Sequence, residues 1–345
     1  MSTSTLLRLG AAILAPLFVT HSAAAQDDAE KGAAEVITAE AERAIQNGLE
    51  FLAARQHDDG SFGSGSYRGN AALCALAGLA YLSSGSTPGR GPYGENIQRC
   101  VDYLLEITQE SGFITAPGAA SHGPMYGHGF AAMFLAQCDG MCPRTELRDK
   151  LAAATRLIVN TQNQDGGWRY QPQKLDADIS VTVCQVMALR AARNCGIHVP
   201  RDTIDQAIDF VKRSQNADGG FMYMIHGGES AFPRSAAGVV ALYSAGVYEG
   251  PEIERGIQYL LRFKPERGVV RRETYYFYGQ YYAVQAMWQA GGNAWDQWYP
   301  AIRDELISRQ QPDGSWISPI ASEYATAMAC IVLQMPNNCV PIFQK

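Results

Sequence analysis

Asp176 and Asp178, two residues apart, are the most chemically suggestive pair in this chain. A carboxyl group held beside a ligand can take up or give away a proton, and two such groups can divide those roles. Glu229 and Glu323 offer further candidate carboxylates. Around them fall His122, His128 and His226, and the cations Arg169, Arg234 and Arg272. Tyr126, Tyr170, Tyr275, Tyr278 and Tyr282 add aromatic faces with polar tips. Most of these residues precede or open an apolar helical pattern. That is also where Asp has a plainer use, since an Asp N-cap stabilises a helix by about 1 kcal/mol. Asn70, Ser235 and Ser322 stand at matching starts, so capping and ligand contact both remain open for Asp178.

The run Tyr275-Tyr-Phe-Tyr-Gly-Gln-Tyr-Tyr282 puts Tyr278, Tyr281, Tyr282 and Gln285 on one helical face. Such rings can fill an interior, offer hydroxyls to a sugar, or each stabilise a cation by about 0.5–2 kcal/mol. Metal chemistry finds little support. His122 and His128 are too far apart for one helical face, and no Cys or His pair has zinc-site spacing. There is no phosphate-cradling glycine loop and no Ser-His-Asp signature. No metal and no cofactor is expected.

The elements that must carry these residues come from a repeat. Four segments are near copies: Gln56-His-Asp-Asp59-Gly-Ser-Phe62, Gln162-Asn-Gln-Asp165-Gly-Gly-Trp168, Gln215-Asn-Ala-Asp218-Gly-Gly-Phe221 and Gln310-Gln-Pro-Asp313-Gly-Ser-Trp316. A worn copy starts at Gln109, and Gln56, Gln109, Gln162 and Gln215 follow one another at intervals of 53. The gap from Gln215 to Gln310 is 95 and leaves room for a degenerate unit near Lys264–Gly268. Six units of this period predict a repeat architecture.

Each copy of the motif follows an amphipathic pattern: 39–55, 96–108, 146–161, 203–214, 253–263 and 295–309. Each precedes a pattern apolar nearly all round: 70–82, 128–137, 178–193, 235–245, 274–290 and 322–334. The first kind buries one face and the second belongs inside. An all-α, closed, double-layered (α/α)6 toroid follows, with six outer and six inner helices. An open solenoid would need polar capping repeats at its ends, and neither terminal unit looks like one. The Asp-Gly pair turns the chain, so the motif itself reads as structure. The inner helices begin just after those turns, and their N-termini should converge on one mouth suited to an anionic ligand or to carboxylates supplied by the protein itself.

At the N-terminus, Arg8, the apolar stretch Leu9–Val19 and Ala23-Ala24-Ala25 read as a signal peptide over 1–25. A linker over 26–35 and one toroid over 36–340 complete the expected organisation. The product would be exported, periplasmic or extracellular, with no transmembrane segment after cleavage. The net charge of −6, or −7 without Arg8, and the lack of a basic run argue against nucleic acid as a partner. Of eight cysteines, Cys138 and Cys142 flank a turn that a local disulfide would suit. The pattern leaves oligomeric state open.

The recurring Gln-x-x-Asp-Gly-[Gly/Ser]-[Trp/Phe] resembles the repeat of squalene–hopene cyclases, oxidosqualene cyclases and protein prenyltransferase β subunits, over roughly residues 40 to 335. Asp176-Ala-Asp178-Ile-Ser180 resembles part of the Asp-x-Asp-Asp-Thr motif with which class II terpenoid cyclases protonate an alkene. On that resemblance Asp178 matches the proton donor, and Ile179 replaces the motif's last Asp. The zinc triad of the prenyltransferases is not matched. The resemblance implies an extended lipid-like, isoprenoid ligand, or a glycan, bound at the mouth, without fixing catalysis. Two alternatives stand beside it. One is a carbohydrate-active enzyme pairing Asp178 with Glu229 or Glu323. The other is a non-catalytic scaffold for a protein partner. A deep apolar hole favours lipid, a wide groove with paired carboxylates favours glycan, and a plugged barrel favours the scaffold.

Overall fold

A computed structural model describes residues 36–142, 144–266 and 275–344. The signal and linker expectations and Arg272 lie outside the described residues. The chain alternates outer helices α1 (Ala39–Arg55), α3 (Gly94–Glu106), α5 (Thr145–Thr161), α7 (Arg201–Arg213), α9 (Pro251–Leu261) and α11 (Gly292–Arg309) with inner ones. The inner helices are α2 (Ala71–Ser83), α4 (Pro124–Cys138), α6 (Ile179–Asn194), α8 (Phe232–Ala245), α10 (Tyr276–Ala290) and α12 (Ser322–Leu333). Inner helices pack in cyclic order, and α12 closes against α2. The double-layered α/α toroid is therefore closed, and the solenoid alternative falls away.

Burial follows the sequence patterning. In α7, Ile204, Ala207, Phe210 and Val211 face inward between exposed charges. Inner α2 is buried at all but one of its positions. Close inner packing needs small residues; a Cβ on Gly78 would sit 2.4 Å from the Phe134 ring of α4.

The repeated motif turns out to be the rivet between neighbouring units. Gln162 Nε2 donates to Gly166 O (2.9 Å) in its own turn and to Thr203 O (2.9 Å) of the next outer helix. Gln56 and Gln215 do the same toward Asn96 and Glu252. Gln310 reaches Ala44 O of α1, so the same device closes the ring. The turn glycines take positive φ, as at Gly166 (φ 93), and lie against the next outer helix, where a Cβ would meet Gln206 O at 2.2 Å. The aromatic that ends the motif is buried. Trp168 and Trp316 donate their indole N–H to Ile158 O and Leu306 O of their own outer helices. Removing a ring of this size from a core costs roughly 3–5 kcal/mol.

Beyond α12 the chain turns under the ring. Gln334 Nε2 donates to Ala80 O (3.0 Å), Asn337 Nδ2 to Ser83 O (3.1 Å) and Ile342 N to Gln137 Oε1 (3.1 Å). Gln289 Nε2 donates to Gln344 O (2.9 Å), and Phe343 meets Tyr281 edge-on at 6.1 Å. This segment ties the C-terminal ends of α2, α4 and α10 together across the base. The expected Cys138–Cys142 bridge is not formed. All eight thiols are free, and Cys142 Sγ instead donates to Gln98 Oε1 of α3.

Candidate functional site

The inner-helix N-termini meet around a cavity of about 570 Å³, within the size range of small-molecule sites. Its wall is mainly aromatic: Tyr67, Tyr126, Phe130, Tyr170, Tyr223, Tyr275, Tyr278 and Tyr324, with His122 and Arg234 among the polar contributions. The loops entering α2, α4, α6 and α8 and the first two turns of those helices supply most of the wall, and the first turns of α10 and α12 supply Tyr278 and Tyr324. Tyr275 stands at the entrance, 57% exposed, with a left-handed backbone (φ 61) and its ring edge-on to His122. Holding a non-glycine residue there costs about 1–2 kcal/mol.

Of the residues singled out by type and spacing, His122, Tyr126, Tyr170, Arg234, Tyr275 and Tyr278 line this cavity. The others are placed elsewhere. His226 and Glu229 are exposed on the loop before α8, and Glu229 meets Arg234 through its backbone carbonyl. Glu323 is buried in the first turn of α12. Tyr282 is wholly buried, with its hydroxyl 3.3 Å from Cys184 Sγ. None of these four is among the lining residues. Tyr278 does reach the wall, and its hydroxyl donates to Ser180 O at 2.9 Å.

His128 is fully buried away from the cavity, and the repeat explains why. Trp168 N donates to Thr182 Oγ1 and Phe221 N to Ser235 Oγ, in each case 14 residues further along. In the second unit Ile114 N donates in the same way to His128 Nδ1, at 3.2 Å. Nδ1 must then be the acceptor, which leaves Nε2 to donate to Ala154 O at 3.3 Å. Burial holds its pKa down to about 4, so the ring is a neutral structural acceptor. Ser235 therefore does not cap its helix. Asn70 does, accepting from Ala72 and Leu73 N. At α12 the N-cap position falls on Ala321, without a side-chain bond.

Asp178 is the N-cap of α6: Oδ1 accepts Val181 N at 2.9 Å. Its side chain is fully buried and does not line the cavity. The second oxygen accepts the Tyr223 hydroxyl at 3.2 Å, and Tyr223 in turn shares a hydrogen bond with the Tyr170 hydroxyl. Arg169 Nε lies 3.8 Å from Asp178 Oδ2, and its terminal nitrogen pairs with Asp176. The same guanidinium lies over the rings of Tyr170 (5.1 Å) and Tyr223 (5.9 Å). Burial lifts the Asp178 pKa to about 6; the Val181 and Tyr223 hydrogen bonds and Arg169 pull the other way. Asp176 and Arg169 thus form the outer support of a wall whose inner surface is Tyr170 and Tyr223.

Tyr223 was not among the candidates read from the sequence, though a signal for it exists. It stands two residues after Phe221, as Tyr170 stands two residues after Trp168. Tyr67 and Tyr324 also reach the wall. No group of three or more His, Cys, Asp or Glu residues among the described residues could hold a metal ion.

The sequence profile of the prenyltransferase alpha-alpha toroid domain matches this chain twice, over residues 36–153 and 146–270. No curated protein matches the sequence. Among solved structures, a variant of the type II terpene cyclase MstE from Scytonema, in complex with its product merosterolic acid A, superposes with a TM-score of 0.63. Identity is 15%, covering 86% of this chain and 97% of that one. Another variant, in complex with the substrate geranylgeranyl dihydroxybenzoate, gives 0.60 at 14% identity, covering 87% and 98%. An inactive variant of an alpha-1,6-mannanase of Salegentibacter sp., in complex with alpha-1,6-mannotriose, gives 0.61 at 8%, covering 85% and 97%. At these identities the likeness establishes the fold alone.

Proposed function

This chain belongs to the prenyltransferase alpha-alpha toroid family, and from that premise we propose that it binds an elongated, lipid-like ligand of isoprenoid type in the cavity at the inner-helix N-termini. The observation that carries this reading is the composition of the wall, which is tyrosine-rich with Phe130, Leu73 and Ile320 between. Among the described lining residues there is no carboxylate. Phe130, Tyr126, Tyr278 and Tyr324 offer apolar area to a hydrocarbon chain, and His122 and Arg234 offer polar contacts. The cyclase with the same fold takes a geranylgeranyl-bearing substrate, which suits the same chemical class. Asp178 supports the wall from behind, so a proton leaving it for a ligand would have to pass through Tyr223.

The glycan reading needs two carboxylates facing one bound sugar. Asp178 is buried, while Glu229 and Glu323 lie off the wall, so that reading finds no acid and base among the described residues that line the cavity. The scaffold reading leaves the open cavity unused. The N-terminal signal pattern would place the binding event outside the cytoplasm.

Native mass spectrometry of the protein recovered from its exported compartment, with organic extraction, tests the proposal. A co-purifying isoprenoid or other lipid is the expected result. Ala72→Trp, which places a large ring in the cavity, should release it while the variant stays folded by circular dichroism. An empty protein that also fails to retain added isoprenoid refutes the reading.

A further inference from the structure

The chain of hydrogen bonds behind the wall has a direction, and the direction selects a ligand. Asp178 accepts Val181 N on one oxygen and the Tyr223 hydroxyl on the other. Arg169, 3.8 Å from that second oxygen and paired with Asp176, favours the carboxylate form. A carboxylate can only accept, and a charged acceptor takes the proton in preference to a neutral one. Tyr223 therefore spends its single O–H on Asp178. The hydrogen bond between Tyr223 and Tyr170 then needs its proton from Tyr170. With that O–H also spent, the Tyr170 oxygen has only lone pairs left to offer.

We infer that the cavity at Tyr170 recognises a hydrogen-bond donor, so that the ligand is a hydroxyl-bearing lipid, an alcohol of isoprenoid type, and Asp178 is the positioning residue that sets this preference. The inference rests on the proposed binding of an elongated lipid and names the polar group such a lipid must carry. Two further groups fit it. Tyr126 and Tyr324 also line the cavity, and Tyr324 is 8% exposed. Neither hydroxyl has a hydrogen-bond partner among the described residues, so each is free to accept or donate as a bound hydroxyl requires. An ether or ester oxygen opposite Tyr170 would meet lone pair against lone pair. A carboxylate there would add like charge at the end of a chain that begins in Asp178.

Asp178→Asn inverts the direction while keeping the helix cap, because Asn caps as well as Asp. Its carbonyl can still accept Val181 N, and its amide N–H₂ then donates to the Tyr223 oxygen. Tyr223 is freed to donate to Tyr170, and Tyr170 to donate into the cavity. The substitution should exchange a donor-seeking wall for an acceptor-seeking one with hardly any change of shape.

The test uses the full-length protein and three probes sharing one linear fifteen-carbon isoprenoid chain: the alcohol, its methyl ether and the corresponding carboxylate. Affinities are measured by calorimetry at pH 8. The wild type should prefer the alcohol to the ether by about tenfold, the value of one hydrogen bond whose alternative is an unpaired buried oxygen. Tyr170→Phe should abolish that preference by weakening the alcohol alone, and Asp178→Asn should reverse it. Melting curves confirm that both variants fold. Equal affinity for alcohol and ether in the wild type overturns the inference and leaves lipid binding standing. So does an Asp178→Asn ratio identical to that of the wild type. Failure of all three probes to bind overturns the lipid reading itself, and the inference with it.

Discussion

Gln310 Nε2 donates to Ala44 O at 2.8 Å, a hydrogen bond between residues 266 apart in the chain. Locally it is the same bond that Gln162 makes to Thr203 O; topologically it joins the last unit to the first.

Gln310→Ala and Gln162→Ala should each lose about 1–3 kcal/mol, the cost of leaving partly buried carbonyls unpaired. Their signatures in hydrogen exchange should differ. Gln310→Ala should speed exchange in α1 and α11, at the seam, and Gln162→Ala in α5 and α7. Identical exchange maps would mean that the ring opens as one unit and not joint by joint.

Asp178 makes neutral pH costly. Its folded pKa, pushed up to about 6, lies above the ordinary carboxylate value of about 3.9. The folded state thus binds the proton more tightly than the unfolded state. Stability from this group is full below about pH 4 and falls as pH rises to 6, by about 3 kcal/mol. Asp178→Asn keeps the cap and removes the penalty. It should melt a few degrees higher than the wild type at pH 7.5, and the gap should close by pH 4. A gap that does not change with pH would contradict this.

His128 works in the opposite sense. Its folded pKa, held down to about 4, lies below the ordinary histidine value of about 6.5. The stability it protects is present above pH 6.5 and is lost as pH falls toward 4. Its ring should still be the neutral Nε2–H tautomer at pH 5, read from the imidazole ¹⁵N shifts. His128→Thr, which restores the residue type found at position 182, should remove this acid sensitivity at the expense of a small cavity. A His128 ring already protonated at pH 5 would refute the assignment.

Gly166 and Gly227 both hold positive φ, yet a Cβ at Gly166 would strike Gln206 O at 2.2 Å, while at Gly227 it would meet nothing within 4 Å. Gly227→Ala should therefore cost about 1–2 kcal/mol from backbone strain alone. Gly166→Ala should cost clearly more, because the joint between α5 and α7 must open. Denaturant unfolding separates the two, and equal losses would show that the turn does not need the close approach.

The toroid was legible because its evidence is periodic: a turn motif every 53 residues, with helices of alternating polarity between copies. The outer helix 39–55 falls where its pattern puts it. Most other boundaries move by one to four residues, since caps rather than hydropathy end a helix. The site was legible only as a neighbourhood. Chain position placed His128 and Glu323 near the mouth, but the rotation of a side chain about its helix depends on packing across units. His128 also occupies a place filled by Thr182 and Ser235 elsewhere, and only the hydrogen bond to Ile114 N identifies that shared role. Tyr223 was hidden because its loop has no helical period, although its offset from Phe221 repeats that of Tyr170 from Trp168.

The segment that crosses the base of the ring, from Gln334 to Gln344, leaves the bore with a floor. For a ligand bound as proposed, a bore closed at its base among the described residues would impose an order of exchange: the resident molecule would have to leave before another could enter. Replacement of bound ligand should then proceed at a rate set by departure alone, however concentrated the newcomer. A ligand held as proposed would also have a leading and a trailing end, and the chemistry at its tail would stay at the doorway beside Tyr275 and His122, within reach of another macromolecule.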